Sequence, residues 1–143
     1  MGTGYKNNTT HYHTLLENIP SVSSKYMIDN GYFGIPGNGR KGFSRNYVSD
    51  NPLANATEFY NYIANGGIEV MMPNNKGFFT KMKDGTIISF REVSSSDGSP
   101  AIDINIKESS NTGGIKQQKI HFINMKGWCI WIFTKITDLT KNF

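Results

Sequence analysis

The stretch TIISFREVSSSDGSPAIDINIK, residues 86–107, contains two runs of alternating apolar and polar residues joined by a cluster of turn residues. A period of two is typical of β-strands that bury one face, and Ser, Asp, Gly and Pro are the residues that turns require. The stretch therefore predicts two neighbouring antiparallel strands. Each has an apolar face and a polar face, which places the pair in the middle of a half-buried sheet.

Further strands are predicted on both sides of this pair. KGFFTKM (76–82) leads into TIISFREV (86–93) through the tripeptide KDG, and an Asp-Gly pair is a strong hairpin signal. IEVMM (68–72) precedes these runs and KQQKIHFI (116–123) follows them. Because the connections are short, we expect an antiparallel meander with four to six strands in the whole sheet.

One helix is strongly indicated before the strands. The segment SDNPLANATEFYNYIANGG (49–67) has Asn51 as an N-cap, Pro52 at the first helical position and two glycines at its end. Its apolar residues recur at spacings of three and four, which gives the helix one apolar face. The predicted fold class is therefore α+β, with an N-terminal helix or helices packed on one face of a twisted antiparallel β-sheet.

The remaining segments divide the chain into three parts. Residues 1–48 are rich in Gly, Asn, Ser and Tyr and predict an irregular or partly ordered segment, with a short helix at 11–19 and a loop at 31–46. Residues 49–123 form the predicted core. Residues 124–143 are a C-terminal extension, in which GWCIWIFTKI (127–136) is expected to add an edge strand.

Composition limits the classes of function. The chain has 143 residues, which suits one domain, and its net charge of +4 is compatible with an anionic partner such as nucleic acid. A single cysteine, Cys129, excludes an internal disulfide framework and a cysteine-rich zinc site. No apolar stretch follows the first methionine, and the run WCIWIF (128–133) is too short to span a bilayer. We therefore expect no signal peptide in this sequence and no membrane partner.

Alternation sorts the strand residues into two faces. The face toward the helix is expected to carry Ile88, Phe90, Ile102, Ile104, Ile106, Ile120 and Phe122. Arg91, Asp103, Lys119 and His121 then share the opposite, polar face. Taken singly, each of these four also fits an ordinary solvated sheet surface.

The residue types on the polar face fit one reaction well. Cleaving RNA without a metal ion requires a base for the 2′-hydroxyl, an acid for the leaving 5′-oxygen and donors for the charge on phosphate. Histidine titrates near neutral pH, and arginine and lysine match phosphate oxygens. Ser94, Ser95, Ser96 and Thr80 can add hydroxyl donors. A two-metal nuclease needs several converging carboxylates, and Asp103 is followed by Asn105 instead.

Two other patterns are weak. His11 and His13 are spaced like weak metal ligands, but they stand in a segment predicted to be irregular, so we predict no metal ion and no other cofactor. GNGRKG (37–42) imitates a glycine-rich phosphate loop but lacks the Walker spacing and a following Ser or Thr.

Three stretches carry a resemblance: SDNPLANATEFYNYIANGG, KGFFTKMKDGTIISFREVSSSDGSPAIDINI and GGIKQQKIHF. They resemble the C-terminal toxin domains of bacterial polymorphic toxins, in particular the RNase modules of LXG-type, type VII-secreted proteins of Gram-positive bacteria. The resemblance covers roughly residues 45–123. Such modules are similar to the barnase, EndoU, colicin and RelE group of small α+β ribonucleases. The resemblance implies a metal-independent endoribonuclease, with tRNA as one candidate substrate.

The residue pattern and the resemblance together indicate a site. The catalytic residues implied are His121, Arg91, Ser95, Thr80 and Lys119. The substrate-binding residues implied are Lys76, Ser94, Ser96 and Lys116. No metal ligand is implied.

The resemblance also implies partners and a location. RNA is the expected substrate, and a cognate immunity protein is expected to hold the toxin inactive in the producing cell. The protein is expected to be a secreted effector domain with type VII-like delivery, used in interbacterial competition and acting in the cytoplasm of the target bacterium. The family's long N-terminal delivery region is absent, so an excised or orphan module is expected. The chain also continues for 20 residues after Ile123, and the resemblance does not explain this extension.

Two alternative functions stay open on the sequence. One is a metal-dependent DNase toxin of the same architecture, with a metal ion near Asp103. The other is a module without catalytic activity, whose basic face binds a nucleic acid or a protein. Chelation of metal ions separates the two nucleases, and toxicity to a host cell separates both of them from an inert module.

Overall fold

The computed structural model describes residues 11–37, 43–94 and 98–124. In this part of the chain two helices, α1 (Leu15–Tyr26) and α2 (Pro52–Ile63), pack on one face of a seven-stranded mixed sheet. This confirms the predicted α+β class, with one strand more than the upper end of the predicted range. Neither helix is long and apolar enough to cross a membrane, and the described ranges contain no other helix that is.

The strands are short. A separate two-stranded ladder consists of β1 (Met27–Asp29) and β2 (Tyr32–Phe33). The strands of the large sheet are, in chain order, β3 (Ile35–Pro36), β4 (Ser44–Ser49), β5 (Ile68–Met71), β6 (Phe78–Lys81), β7 (Ile87–Arg91), β8 (Ala101–Asn105) and β9 (Gln118–Asn124). Their spatial order is β3-β4-β9-β8-β7-β6-β5. Single turns of 3₁₀ helix at Pro73–Asn75 and Ser109–Thr112 interrupt two of the connections.

Strands β5 to β9 form the predicted antiparallel meander, because each pairs with its successor along the chain. The exception to antiparallel pairing is β4, which lies parallel to β9 with Ser44 opposite Lys119 and Ser49 opposite Asn124. Helix α2 and the whole meander form the crossover between these two strands, and such a long connection is what parallel pairing requires. As a result β9 lies inside the sheet rather than at its edge.

The segment of residues 1–48 supplies more of the fold than its composition indicates. The helix predicted at 11–19 begins at Leu15 and continues to Tyr26, and both of these side chains are buried in the core. A capping box starts it: the Thr14 hydroxyl accepts from the Glu17 N–H, and the Glu17 carboxylate accepts from the Thr14 N–H. The hydrogen bond from the Thr14 backbone and a second one from the His11 side chain lower the pKa of Glu17 to about 2.

The loop predicted at 31–46 is in part strand. Glycine and proline indicate a loop there, but Pro36 is tolerated because β3 is an edge strand and needs no further hydrogen-bond donor. Gly34 adopts φ +68°, and a Cβ at this position would lie 2.3 Å from the Asn46 carbonyl oxygen. The glycine therefore lets the backbone before β3 lie directly against β4.

The core lies between the helices and one face of the sheet, with the predicted register. The helices contribute Leu15, Val22, Tyr26, Ala56, Phe59 and Ile63, among others. The strands contribute the predicted Ile88, Phe90, Ile102, Ile104, Ile120 and Phe122, and Ile106 packs against them. Because Ile102 and Ile104 are fully buried, Asp103 between them must face away from the helices.

Three predictions fall on residues outside the described ranges. These are the hydroxyl groups of Ser95 and Ser96, most of the glycine-rich stretch at 37–42 and the edge strand at 127–136. They stay predictions.

Candidate active site

The sheet face that points away from the helices carries a row that joins three strands. Register aligns Arg91 on β7 with Ala101 on β8, and Ala101 with His121 on β9. Neighbouring strands lie about 4.8 Å apart, so the Cα atoms of Arg91 and His121 are separated by roughly 10 Å. Because the side chain between them is only a methyl group, the long Arg91 side chain can extend across β8 toward the imidazole.

A second row lies beside the first. Register aligns Ser89 on β7, Asp103 on β8 and Lys119 on β9. Asp103 is half-buried, and its carboxyl group interacts electrostatically with Lys119, Arg91 and His121. The two rows thus place one carboxyl group among three basic side chains.

The protonation behaviour of Asp103 differs from that of a surface aspartate. Burial raises its pKa above the ordinary value of 3.8, and the three basic neighbours oppose this rise without cancelling it. A carboxyl group with a raised pKa is a stronger base than an ordinary aspartate when it is ionised. Carboxyl groups with a shifted pKa in a cleft are typical of functional sites, although structural ion pairs also shift the pKa of a carboxyl group.

His121 is held in place by the loop that leads into β8. Its side chain is only 7 % exposed, and its Nδ1 atom is 3.0 Å from the Ser99 hydroxyl oxygen. The Phe122 N–H donates to the Pro100 carbonyl over 2.8 Å, which fixes the end of this loop to β9. A hydrogen bond at Nδ1 defines the orientation of the ring.

Thr80 is not brought into this group. It lies opposite Ile88, so it faces the helices, and it is 2 % exposed. Its hydroxyl oxygen is 2.5 Å from the Tyr60 hydroxyl oxygen, and Tyr60 donates to the Glu69 carboxylate over 2.9 Å. Thr80 therefore satisfies a buried tyrosine and belongs to the helix side of the sheet.

The other predicted site residues occupy different places. Lys76 and Arg91 both line a depression of about 490 Å³. Ser94 is buried, and its N–H donates to the Ser99 carbonyl, so it supports the loop that holds His121. The Lys116 ammonium lies over the Tyr32 ring, 5.5 Å from the ring centroid, and belongs to neither row.

A cleft of about 280 Å³ adjoins the second row. The residues that line it include Asp103 and Lys119 together with Asn105 and Gln117, whose side chains are amides. Phe43, which is 39 % exposed, lines it as well, and its carbonyl accepts from the Lys119 N–H over 2.8 Å. An accessible aromatic ring beside amide groups is the combination that proteins use to bind an unstacked nucleobase.

Sequence reasoning placed Asp103 on the polar face but gave it a role only in the metal-dependent alternative, and it missed Ser99 as a site residue. The pattern AIDINI places Asp103 on the correct face, and an acidic residue inside an otherwise apolar strand beside a basic strand is a usable signal. Nothing local marks Ser99, because its partner His121 is 22 positions further along the chain.

The donors on this face do not suggest a metal centre. Within the two rows, Asp103 supplies the one carboxylate, and two-metal nucleases need several. In the described ranges, the group of three potential ligands with converging donor atoms consists of His11, His13 and Glu17, not of residues from the rows.

Comparisons of the chain with protein-family models, with curated proteins and with solved structures find no match. The resemblance to RNase toxin modules therefore stays a prediction. The geometry around Asp103 and His121 is the basis on which a function can be proposed.

Proposed function

We propose that the protein is a metal-independent endoribonuclease toxin that cleaves RNA on the face carrying His121 and Asp103. One observation carries the proposal: a half-buried carboxyl group with a raised pKa lies among Arg91, Lys119 and His121 on the face opposite the helices. This group contains the proton acceptor, proton donor and cations that the reaction requires.

The two titratable groups take different roles in the reaction. The Asp103 carboxylate accepts the proton of the 2′-hydroxyl, whose oxygen attacks the adjacent phosphorus. The protonated His121 imidazole donates its Nε2 proton to the leaving 5′-oxygen as the P–O5′ bond breaks. The products are a 2′,3′-cyclic phosphate and a 5′-hydroxyl, and water need not take part in this step.

Arg91 and Lys119 act on the phosphate. The guanidinium can donate two parallel hydrogen bonds to phosphate oxygens, and in the sheet register Ala101 alone separates Arg91 from His121. Charge accumulates on these oxygens during attack, so fixed cations stabilise the transition state more than the ground state. Lys119 supplies a compact charge between the phosphate and the cleft.

The cleft is suited to the base next to the cleaved bond. Phe43 offers a surface for stacking, and the amides of Asn105 and Gln117 can donate to and accept from base edges. Stacking of this kind contributes about 1–3 kcal/mol per base and favours single-stranded RNA over a duplex. The proposed substrate is therefore RNA with unpaired nucleotides, such as a tRNA loop.

A ribonuclease of this kind endangers the cell that makes it, so we propose a cognate immunity protein as a partner. Acidic residues of that partner are expected to face Arg91 and Lys119, because complementary charge accelerates capture. Export from the producing cell and action in the cytoplasm of a target bacterium complete the proposal, and both rest on the resemblance. A structure of the complex in which the partner contacts only the helices would contradict occlusion of the site.

The proposal is tested by RNA integrity. Brief induction in a bacterial host without an immunity gene is expected to fragment RNA, visible on a gel of total RNA. The purified protein is expected to cut RNA equally well with and without EDTA and to leave cyclic phosphate ends. The His121→Ala variant, prepared identically, is the control for contaminating nuclease.

Two outcomes favour the alternatives. Cleavage of DNA rather than RNA, abolished by EDTA, indicates a metal-dependent DNase. Growth of the host without toxicity, with intact RNA and no cleavage by the purified protein, indicates a non-catalytic binding module.

Lys119→Ala is expected to weaken cleavage most at low salt. If Lys119 neutralises one phosphate of single-stranded RNA, its loss lowers the magnitude of the negative slope of log(kcat/KM) against log[salt] by about 0.7. The measurement is kcat/KM over a series of salt concentrations. Lys25→Ala is the matched control, because it removes the same charge from the helix side, where Lys25 pairs with Glu58. A defect that does not change with salt contradicts a role in attracting RNA.

A further inference from the structure

The start of α1 gathers three metal-binding side chains. One donor atom each from His11, His13 and Glu17 lies within 4.8 Å of the others. We propose that these residues bind a zinc-class transition-metal cation, with two imidazole nitrogens and one carboxylate oxygen as ligands. This site is separate from the proposed nuclease chemistry and does not rest on it.

The distances need little change to accept an ion. His11 Nε2 lies 2.7 Å from Glu17 Oε2, and the rings of His11 and His13 have centroids 4.8 Å apart. Donor atoms at tetrahedral angles around zinc, with bonds of about 2.0–2.1 Å, are separated by roughly 3.4 Å. The first contact has to lengthen by roughly 0.7 Å. The His11 side chain is 57 % exposed, so it can make this adjustment without disturbing the core.

His13 already has the kind of partner that orients a metal-binding histidine. Its Nδ1 atom is 2.9 Å from the side-chain oxygen of the buried Asn18. The Asn18 amide nitrogen donates to the carbonyls of Ile63 and Asn65 over 2.8 and 2.7 Å, which fixes which end of the amide faces the ring. An acceptor at Nδ1 places the ring proton there and leaves the lone pair on Nε2. Metal-binding histidines are typically oriented by such a partner.

The backbone around His13 is anchored as well. Its N–H donates to the Gly66 carbonyl, and its carbonyl accepts from the Lys83 N–H over 2.8 Å. Glu17 keeps one oxygen on the Thr14 N–H, so its other oxygen is directed to His11. Two of the three ligands are therefore held by the fold before any ion binds.

The donor set indicates the class of ion. Imidazole nitrogen suits zinc, cobalt, nickel and copper, whereas magnesium and calcium prefer sites built from oxygen. Three protein ligands leave a fourth position for water or for a donor from another molecule. The ion would join residue 11 to the first turn of α1, next to Gly66 and the β6–β7 turn.

The site is remote from the polar rows along the sheet. Lys83, which contacts His13, belongs to the turn before β7, whereas Arg91 is the last residue of β7. At about 3.4 Å per residue, the length of β7 alone separates them by roughly 14 Å. An ion at the start of α1 therefore cannot touch a phosphate bound beside Arg91.

Calorimetric titration of the EDTA-treated protein with zinc chloride tests the site. The expected result is one ion bound per chain, with a rise in the melting temperature and no response to magnesium chloride. His11→Ala and Glu17→Gln are each expected to weaken zinc binding at least tenfold. Glutamine can still complete a capping box, so Glu17→Gln preserves the helix start.

His121→Ala is the matched control, since it removes an imidazole from the other side of the sheet and is expected to bind zinc as the wild type does. The proposal is overturned if the wild-type protein gives neither binding heat nor a shift in melting temperature. It is equally overturned if His11→Ala and Glu17→Gln bind zinc as tightly as the wild type.

Discussion

RNA cleavage by the His121→Ala variant is expected to fall by about 10²- to 10⁴-fold, the usual cost of losing an acid–base group. The fold should survive, because the buried neighbours Ile120 and Phe122 hold β9 in the core while His121 faces the other side of the sheet. The measurement is kcat on a single-stranded RNA, with circular dichroism and a thermal melt on the same preparation.

The matched control for this change is His11→Ala, which removes an exposed imidazole from the helix side and is expected to keep the wild-type cleavage rate. A folded His121→Ala protein that still cuts RNA at the wild-type rate shows that the site is assigned wrongly. The polar face would then be a solvated surface, as each of its residues taken singly also permits.

Asp103→Asn is expected to lose cleavage by a similar factor while gaining stability at neutral pH. Loss of activity follows because an amide cannot accept the 2′-hydroxyl proton. The stability change follows from the raised pKa of Asp103: the unfolded chain releases this proton more easily, so the native protein loses stability as pH rises through the folded pKa. Asparagine does not ionise, so the variant avoids this loss despite giving up attraction to Lys119 and Arg91.

The direction of this stability change is measured by thermal melts of both proteins at several pH values. The variant should have the higher melting temperature at neutral pH, and this difference should disappear as pH falls toward 3.8, the ordinary pKa of an aspartate. Asp50→Asn is the control, because Asp50 is exposed and lies before α2. An Asp103→Asn protein that is less stable than the wild type at neutral pH, or equally active, contradicts the role given to this carboxyl group.

Local sequence patterns predict those parts of the fold whose partners are near in the chain. The meander from β5 to β9 and the α2 helix follow from alternation, from the Asp-Gly turn and from the cap at Asn51. The parallel pairing of β4 with β9 joins residues 44–49 to residues 119–124, and no periodic pattern spans that separation. For the same reason, glycine-rich residues 31–46 predict a loop although strands form there.

The sequence predicts the face of a site residue correctly where the alternation of apolar and polar residues along its strand is unambiguous. Arg91, Lys119 and His121 lie on the face that alternation gives them. Thr80 does not, because the run FFTK has a phenylalanine at both parities and so does not specify which face is apolar. The raised pKa of Asp103 depends on burial and on side chains from two other strands, which a single strand pattern cannot show.

The position of β9 also determines when the site can assemble during synthesis. Of the described strands, β9 leaves the ribosome last, yet it inserts between β4 and β8. At about 5–20 residues per second, β4 emerges on the order of ten seconds before its central partner. Until then the nascent chain carries Arg91 and Asp103 but has no imidazole beside them. The proposed catalytic group is therefore incomplete on the ribosome until almost the whole described chain has been made.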